Sequence, residues 1–157
     1  PRFLINIIEA ALANAINRGH SKVEEGDCVD AVRQHSHYLV DDFGFEVRDV
    51  SGLDSGILYA LVGATQLLTE HEVHDRFRRI GIPEKDLARA FYLMLWYGVL
   101  GVCCSDGQDR YIYDFEYSMK RFEAEIRNLK PDVIYVANPA IHVALNNERR
   151  TEQPLLL

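Results

Sequence analysis

Residues 69–113, TEHEVHDRFRRIGIPEKDLARAFYLMLWYGVLGVCCSDGQDRYIY, decide the fold. Thr69 and Glu72 have capping-box spacing: the threonine side chain accepts from a first-turn amide while the glutamate reaches back. Val73, Phe77 and Ile80 then fall on one helical face, and Gly81 supplies a left-handed stop. Ile82-Pro83 opens a second helix, because proline is tolerated at a first helical position. That helix runs to about Tyr97 and ends at Gly98. Residues 99–104 read as a strand and Ser105-Asp106-Gly107 as a turn. Residues 110–114 return as a strand with Tyr111 and Tyr113 on one face and Arg110 and Ile112 on the other. The short apolar stretch Gln66-Leu67-Leu68 precedes all of this. The expected fold is mainly α with a small β-hairpin, and the order of helix, helix and hairpin is that of a winged helix.

Working outward, the chain enters a helix at once. Phe3, Leu4, Ile7, Ile8, Ala11, Leu12, Ala15 and Ile16 form a broad apolar stripe that Gly19 ends. A start of this kind is expected of a piece cut from a larger protein. A second helix begins near Glu24, with Glu25 and Asp27 in its first turn where negative charge suits the dipole. Cys28, Val29, Ala31, Val32, Leu39 and Phe43 carry it onward, and the Asp41-Asp42 pair with Gly44 predicts a break before Ser51-Gly52. A shorter helix is expected over 54–62, stopped by Gly63. Beyond the hairpin, Met119, Phe122 and Ile126 give helical spacing over 117–129, ended by Pro131. Residues 132–136 alternate as a strand, and Asn138-Pro139 caps a last helix to Leu145. The polar, then aliphatic residues 146–157 read as a frayed terminus. The expected division is a helical lid-like segment over 1–50, a winged helix over 51–116, a helix, strand and short helix packed on it over 117–145, and a tail over 146–157.

The chain has 157 residues, enough for one substantial domain or two small ones sharing a core. No apolar run approaches the roughly 20 residues of a membrane span, so no membrane partner is expected. The opening residues are patterned as a helix rather than as a secretory leader. A net charge of −7 repels phosphate backbones on average, so nucleic-acid binding requires a local basic patch. Cys28, Cys103 and Cys104 are odd in number and lack CxxC spacing, which predicts reduced, at least partly buried thiols in the cytoplasm. Cys103 and Cys104 point to opposite strand faces.

The opening Pro1-Arg2-Phe3-Leu4-Ile5-Asn6, the alanine-rich helix, Arg18-Gly19-His20, then Val23-Glu24-Glu25-Gly26-Asp27 with Ala31 downstream resemble the small helical lid of bacterial AAA+ and STAND-type P-loop ATPases. Such lids open on a Pro-Arg pair beneath the nucleotide and begin a second helix after a Val-x-x-x-Asp turn, and a winged helix follows in many members. Residues 111–117, Lys120-Arg121 and 134–140 resemble the ends of a group of bacterial P-loop ATPases. The resemblance implies that Arg2 senses the γ-phosphate from an upstream P-loop module of the same protein. The chain departs from the family at its centre, since it holds no G-x-x-x-x-G-K-[ST] and no strand ending in paired acids. ATP and Mg²⁺ are therefore expected only with the upstream module, and no cofactor with this chain alone. Read without the resemblance, Arg2 is a solvated first-turn residue.

Other constellations are weaker. His71-Glu72-Val73-His74 spaces its histidines three apart, whereas the zinc-protease arrangement needs four, and it lacks a third ligand, so no metal site is expected. His35 and His37 cannot face one way on a helix, and His20 and His142 stand without evident partners. Cys28 among Asp27, Asp30 and Glu25 is in the wrong electrostatic setting for a nucleophile and reads as a buried structural thiol. Asp41-Asp42 reads as a solvated face. No catalytic residue is expected.

DNA is the usual partner of a winged helix, and here the sequence speaks partly against it. The recognition helix over 83–97 carries only Lys85 and Arg89, beside Glu84 and Asp86. Its second half is apolar around most of its circumference, as in a helix covered on more than one side by the 117–129 helix or by a partner. The wing tip has Asp106 and Asp109 before Arg110. The best basic cluster is Arg76, Arg78 and Arg79, which Asp75 and the helix dipole also explain without a ligand. The residues for contact with nucleic acid or a protein partner are thus Arg76, Arg78, Arg79, Lys85, Arg89 and Arg110. The sequence predicts a non-catalytic regulatory and interaction module from the C-terminal end of a P-loop ATPase, closing over nucleotide and relaying its state. An oligomer and DNA stand as further partner classes. The alternative is a stand-alone winged-helix DNA-binding regulator.

Overall fold

The computed structural model describes residues 2–131 and 133–146. The chain is mainly α-helical with one small antiparallel sheet. Helices α1 (Arg2–Arg18) and α2 (Glu25–Ser51) pack against each other as a hairpin. α2 continues unbroken through Asp41, Asp42 and Gly44, where the sequence predicted an interruption, and ends where Gly52 adopts φ 72° and its N–H donates to the Arg48 carbonyl. The expected 54–62 helix is a 3-10 turn over Ile57–Leu61. The Asp54 carboxylate draws the Gly56 N–H 2.7 Å away, a local side-chain bond that competes with an α-helical start.

The predicted cap and left-handed stops are present, but Pro83 does not open the second helix, being extended ahead of a 3-10 turn, and Ile80 is exposed while Val73 and Phe77 are buried. Thr69 and Glu72 exchange both capping-box bonds at the start of α3 (Glu70–Arg79), and Gly81 takes φ 89° just past its end. α4 (Leu87–Trp96) follows a 3-10 turn over Glu84–Asp86, and Gly98 takes φ 69°. The hairpin is shorter than expected. Strand β2 (Leu100–Cys103) pairs with β3 (Asp109–Arg110), but residues expected to extend β3 form a 3-10 turn, Ile112–Phe115. The Asp114 carboxylate accepts the Tyr111 N–H at 2.8 Å, and that bond curls the backbone out of the ladder. Tyr111 and Tyr113 nevertheless lie together, ring centroids 5.3 Å apart.

α5 (Met119–Leu129) leads into strand β4 (Tyr135–Ala137), which starts later than the 132–136 reading, residue 132 being outside the described residues. The sheet order is β1-β4-β2-β3, with β1 at Leu67–Leu68. β4 thus separates β1 from β2, pairing Leu67 with Val136 and Gly101 with Val136 from opposite sides. α6 (Pro139–Leu145) starts on the predicted cap: the Asn138 side chain accepts from the Ala140 N–H and donates to the Gly98 carbonyl at 2.9 Å.

One core joins these elements, with Phe77, Phe122, Ile57, Leu61, Met94, Leu100, Ile112 and Leu145 fully buried. α2 enters it through Val40 and Val47, and no described residue of α1 belongs to it. Ser36 fastens α2 to α6. Its buried hydroxyl donates to the Ala140 carbonyl at 2.7 Å and accepts from the Ala144 N–H at 3.2 Å, standing between two groups that a helix would pair directly. The tail expected over 146–157 lies, apart from Asn146, outside the described residues.

Candidate functional site

The α1–α2 hairpin is organised by a buried carboxylate. Asp27 is fully buried and accepts from Arg18 at 3.0 Å, from His20 Nδ1 at 2.8 Å and from the Glu24 N–H at 3.0 Å. The Glu24 amide above all, then His20 and Arg18, hold its carboxyl below the usual carboxylate range. The Asn14 amide donates to the Asp27 carbonyl at 3.2 Å, and Arg18 also pairs with Asp30. The Arg18-Gly19-His20 and Asp27 positions therefore form one interlock that sets the angle of α1 on α2.

That angle turns the apolar stripe of α1 in an unusual way. The small residues Ala11 and Ala15 are buried, as is Ala31 of α2, while Ile5, Ile8, Leu12 and Ile16 are 54%, 50%, 47% and 75% exposed. Val29 and Val32 of α2 are exposed as well. Alanines turned inward and larger aliphatics turned outward are the reverse of a helix folded for itself. Cys28, expected as a buried thiol, is exposed. It follows Asp27 by one residue and so is carried about 100° round the helix from the interlock. Cys103 is half-buried and Cys104 buried, and burial pushes the Cys104 thiol up.

The predicted cationic residues separate into groups. Arg78 is held by Glu84 at 2.8 Å and by Asp75 at 2.6 Å. Arg76 reaches the Ala60 and Val62 carbonyls at 3.4 and 3.3 Å and, with Arg79, borders a groove of about 210 Å³ beside Glu72 and Asp75. Arg110 is bound by Asp106 at 2.6 Å and Glu125 at 3.3 Å, which ties the β2–β3 hairpin to α5. Lys85 and Arg89 are exposed and have no ion-pair partner among the described residues. Arg2 opens α1, and its side chain lies outside what the structure describes.

α4 buries Leu87, Ala90, Phe91, Leu93, Met94 and Leu95. The sequence expected its second half to be covered on more than one side, but Tyr92 and Trp96 are 41% and 39% exposed. Their rings are 6.5 Å apart and 11° from parallel. With Arg89 they occupy i, i+3 and i+7 of one face, a signal present in the sequence but hidden there by the apolar residues between.

His71 and His74 diverge. His71 is exposed toward Asp75 at 3.4 Å, and His74 sets its ring edge-on to Phe91 at 5.5 Å. Among the described residues there is no group of three or more His, Cys, Asp or Glu side chains that could hold a metal ion, and no helix long and apolar enough to cross a membrane.

Residues 1–44 match a family described as a FunZ-associated C-terminal helical domain. The matched stretch covers all of α1 and α2 as far as Gly44. No curated protein and no solved structure matches the chain.

Proposed function

We propose that this chain is a non-catalytic regulatory and interaction module at the C-terminal end of a P-loop ATPase, a lid that closes over nucleotide and relays its state to a partner. The observation that carries the reading is the outward row Ile5, Ile8, Leu12 and Ile16 on a hairpin whose residues match a C-terminal helical domain. Fully burying one such side chain is worth about 1.5–3 kcal/mol, so a row left half-exposed is a surface awaiting a neighbour. The neighbour in this reading is the upstream P-loop module, with ATP and Mg²⁺ bound there and Arg2 reaching the γ-phosphate from the start of α1. The interlock of Arg18, His20 and Asp27 supports it, since a lid must move as a rigid body. Residues 51–116 act as the winged helix, supported by the order of β1, α3, α4 and the β2–β3 hairpin, with β4 added between β1 and β2.

The test is to supply the upstream module and measure docking of this chain by sedimentation, with ATP turnover alongside. Ile8→Asp together with Leu12→Asp is expected to abolish docking while leaving the circular dichroism of the chain unchanged. Arg2→Ala is expected to lower ATP turnover. Undiminished docking by the double variant, or a reading frame upstream of Pro1 without a G-x-x-x-x-G-K-[ST] motif, overturns the proposal.

A further inference from the structure

We infer that the exposed face of α4 binds single-stranded nucleic acid, its aromatic pair stacking on bases and its cations meeting phosphates. This face belongs to different elements from the α1 row, and the inference stands whether or not that row docks an ATPase. Arg89, Tyr92 and Trp96 lie along one face of α4, beside exposed Ala88, and exposed Lys85 stands in the 3-10 turn just before the helix.

Three features select the ligand. The first is the aromatic pair: two large rings, near-parallel and both exposed, form a platform for flat, apolar, polarisable groups. The second is the state of the cations. The chain has 24 acidic residues for 17 basic ones, and Arg18, Arg78 of α3 and Arg110 are each doubly paired. Lys85 and Arg89 remain without an ion-pair partner among the described residues despite that surplus of carboxylates. Charge left unpaired beside aromatic faces suits a ligand that brings its own anions and its own rings. The third is spacing. Lys85 lies in the 3-10 turn that leads into α4 and Arg89 in the first turn of α4, so the two cations precede the aromatic pair, which lies three and seven residues beyond Arg89. A duplex keeps its base faces stacked internally, so this platform reads unpaired bases rather than groove edges. An acidic peptide satisfies the cations but leaves the rings without a stacking partner, and is the rival outcome of the test.

Trp96 is the chain's single tryptophan, so its fluorescence reports on this face alone. The full chain is titrated with a twelve-nucleotide oligothymidylate, with a duplex of the same length, and with polyglutamate. The expected result is saturable quenching by the single strand, with a log–log salt slope of about −1.4 for two phosphate contacts. Tyr92→Ala is expected to weaken binding about fivefold or more. The double charge variant Lys85→Glu with Arg89→Glu, confined to exposed positions, is expected to abolish binding with the far-ultraviolet spectrum unchanged. Absence of quenching at millimolar oligonucleotide, equal quenching by duplex or polyglutamate, or unchanged affinity in the folded charge variant overturns the inference.

Discussion

Gly44 sits so close to Ser55 that a Cβ built on it would stand 2.0 Å from the Ser55 carbonyl oxygen and 3.0 Å from its carbon. The glycine that looked like a helix breaker is the point where the loop after α2 folds back onto the helix. Its missing side chain is space for backbone, and the helix passes through it intact.

Gly44→Ala is therefore expected to destabilise the protein, against the usual direction. Alanine in a helix interior ordinarily gains about 1 kcal/mol over glycine. Here the group in the way is backbone, which cannot rotate aside, and overpacking of this kind costs about 1–3 kcal/mol. Gly26, in the same helix, is the control: its added Cβ would meet only the tip of Arg18 at 3.9 Å. Urea denaturation midpoints should fall for Gly44→Ala and hold or rise for Gly26→Ala.

Ser36 is expected to be more tolerant of alanine than of valine. Its hydroxyl bridges the Ala140 carbonyl and the Ala144 N–H. Alanine leaves room for those two groups to bond directly, so the loss is about 1 kcal/mol. Valine holds them apart and leaves both buried without a partner, raising the loss to about 2–3 kcal/mol. Denaturant curves of the two variants order the effects, and equal losses would disprove the bridge.

The Asp27 interlock predicts an acid limb to stability. Its carboxyl is held below the ordinary aspartate value, so the unfolded chain binds the proton more readily than the folded one. The contribution is complete above about pH 4 and is lost as pH falls through the depressed folded value. Asp27→Asn is expected to lower the thermal midpoint at pH 7 and to flatten its dependence below about pH 4. A variant that keeps the wild-type slope in that range would show that other carboxylates set it.

Thiol reactivity should follow depth. Cys28 is exposed, Cys103 half-buried and Cys104 buried with its thiol pushed up. Under native conditions a disulfide reagent is expected to modify Cys28 first and Cys104 last, with all three equal in denaturant. Fast modification of Cys104 in the folded protein would contradict its burial just past the end of β2.

Legibility followed the range over which each signal acts. The Thr69–Glu72 box, the Asn138-Pro139 cap and the left-handed glycines at 81 and 98 were readable because each is settled within a few residues. The hairpin was over-read because alternation at 110–114 competes with one carboxylate bond, from Asp114 to Tyr111, that periodicity does not register. Among the candidate contact residues, sequence could name Arg78, Arg89 and Arg110 alike. It could not tell that Glu84 and Glu125 reach the first and last of these while Arg89 stands beside Tyr92 and Trp96.

The sequence by itself determined the caps at Thr69 and Asn138 and the left-handed stops at Gly81 and Gly98, that the fold is mainly α with a small antiparallel sheet, and that the residues carry no G-x-x-x-x-G-K-[ST] pattern. Only the tertiary structure decided that β4 enters between β1 and β2, that α2 runs through Gly44, and that α1 turns its alanines inward and its isoleucines out. The reason is physical: caps and turns are bonds between near neighbours, whereas the face a helix buries depends on which distant surface arrives against it. Here that surface is set by Asp27, and its grip on Arg18 and His20 fixes the roll of α1.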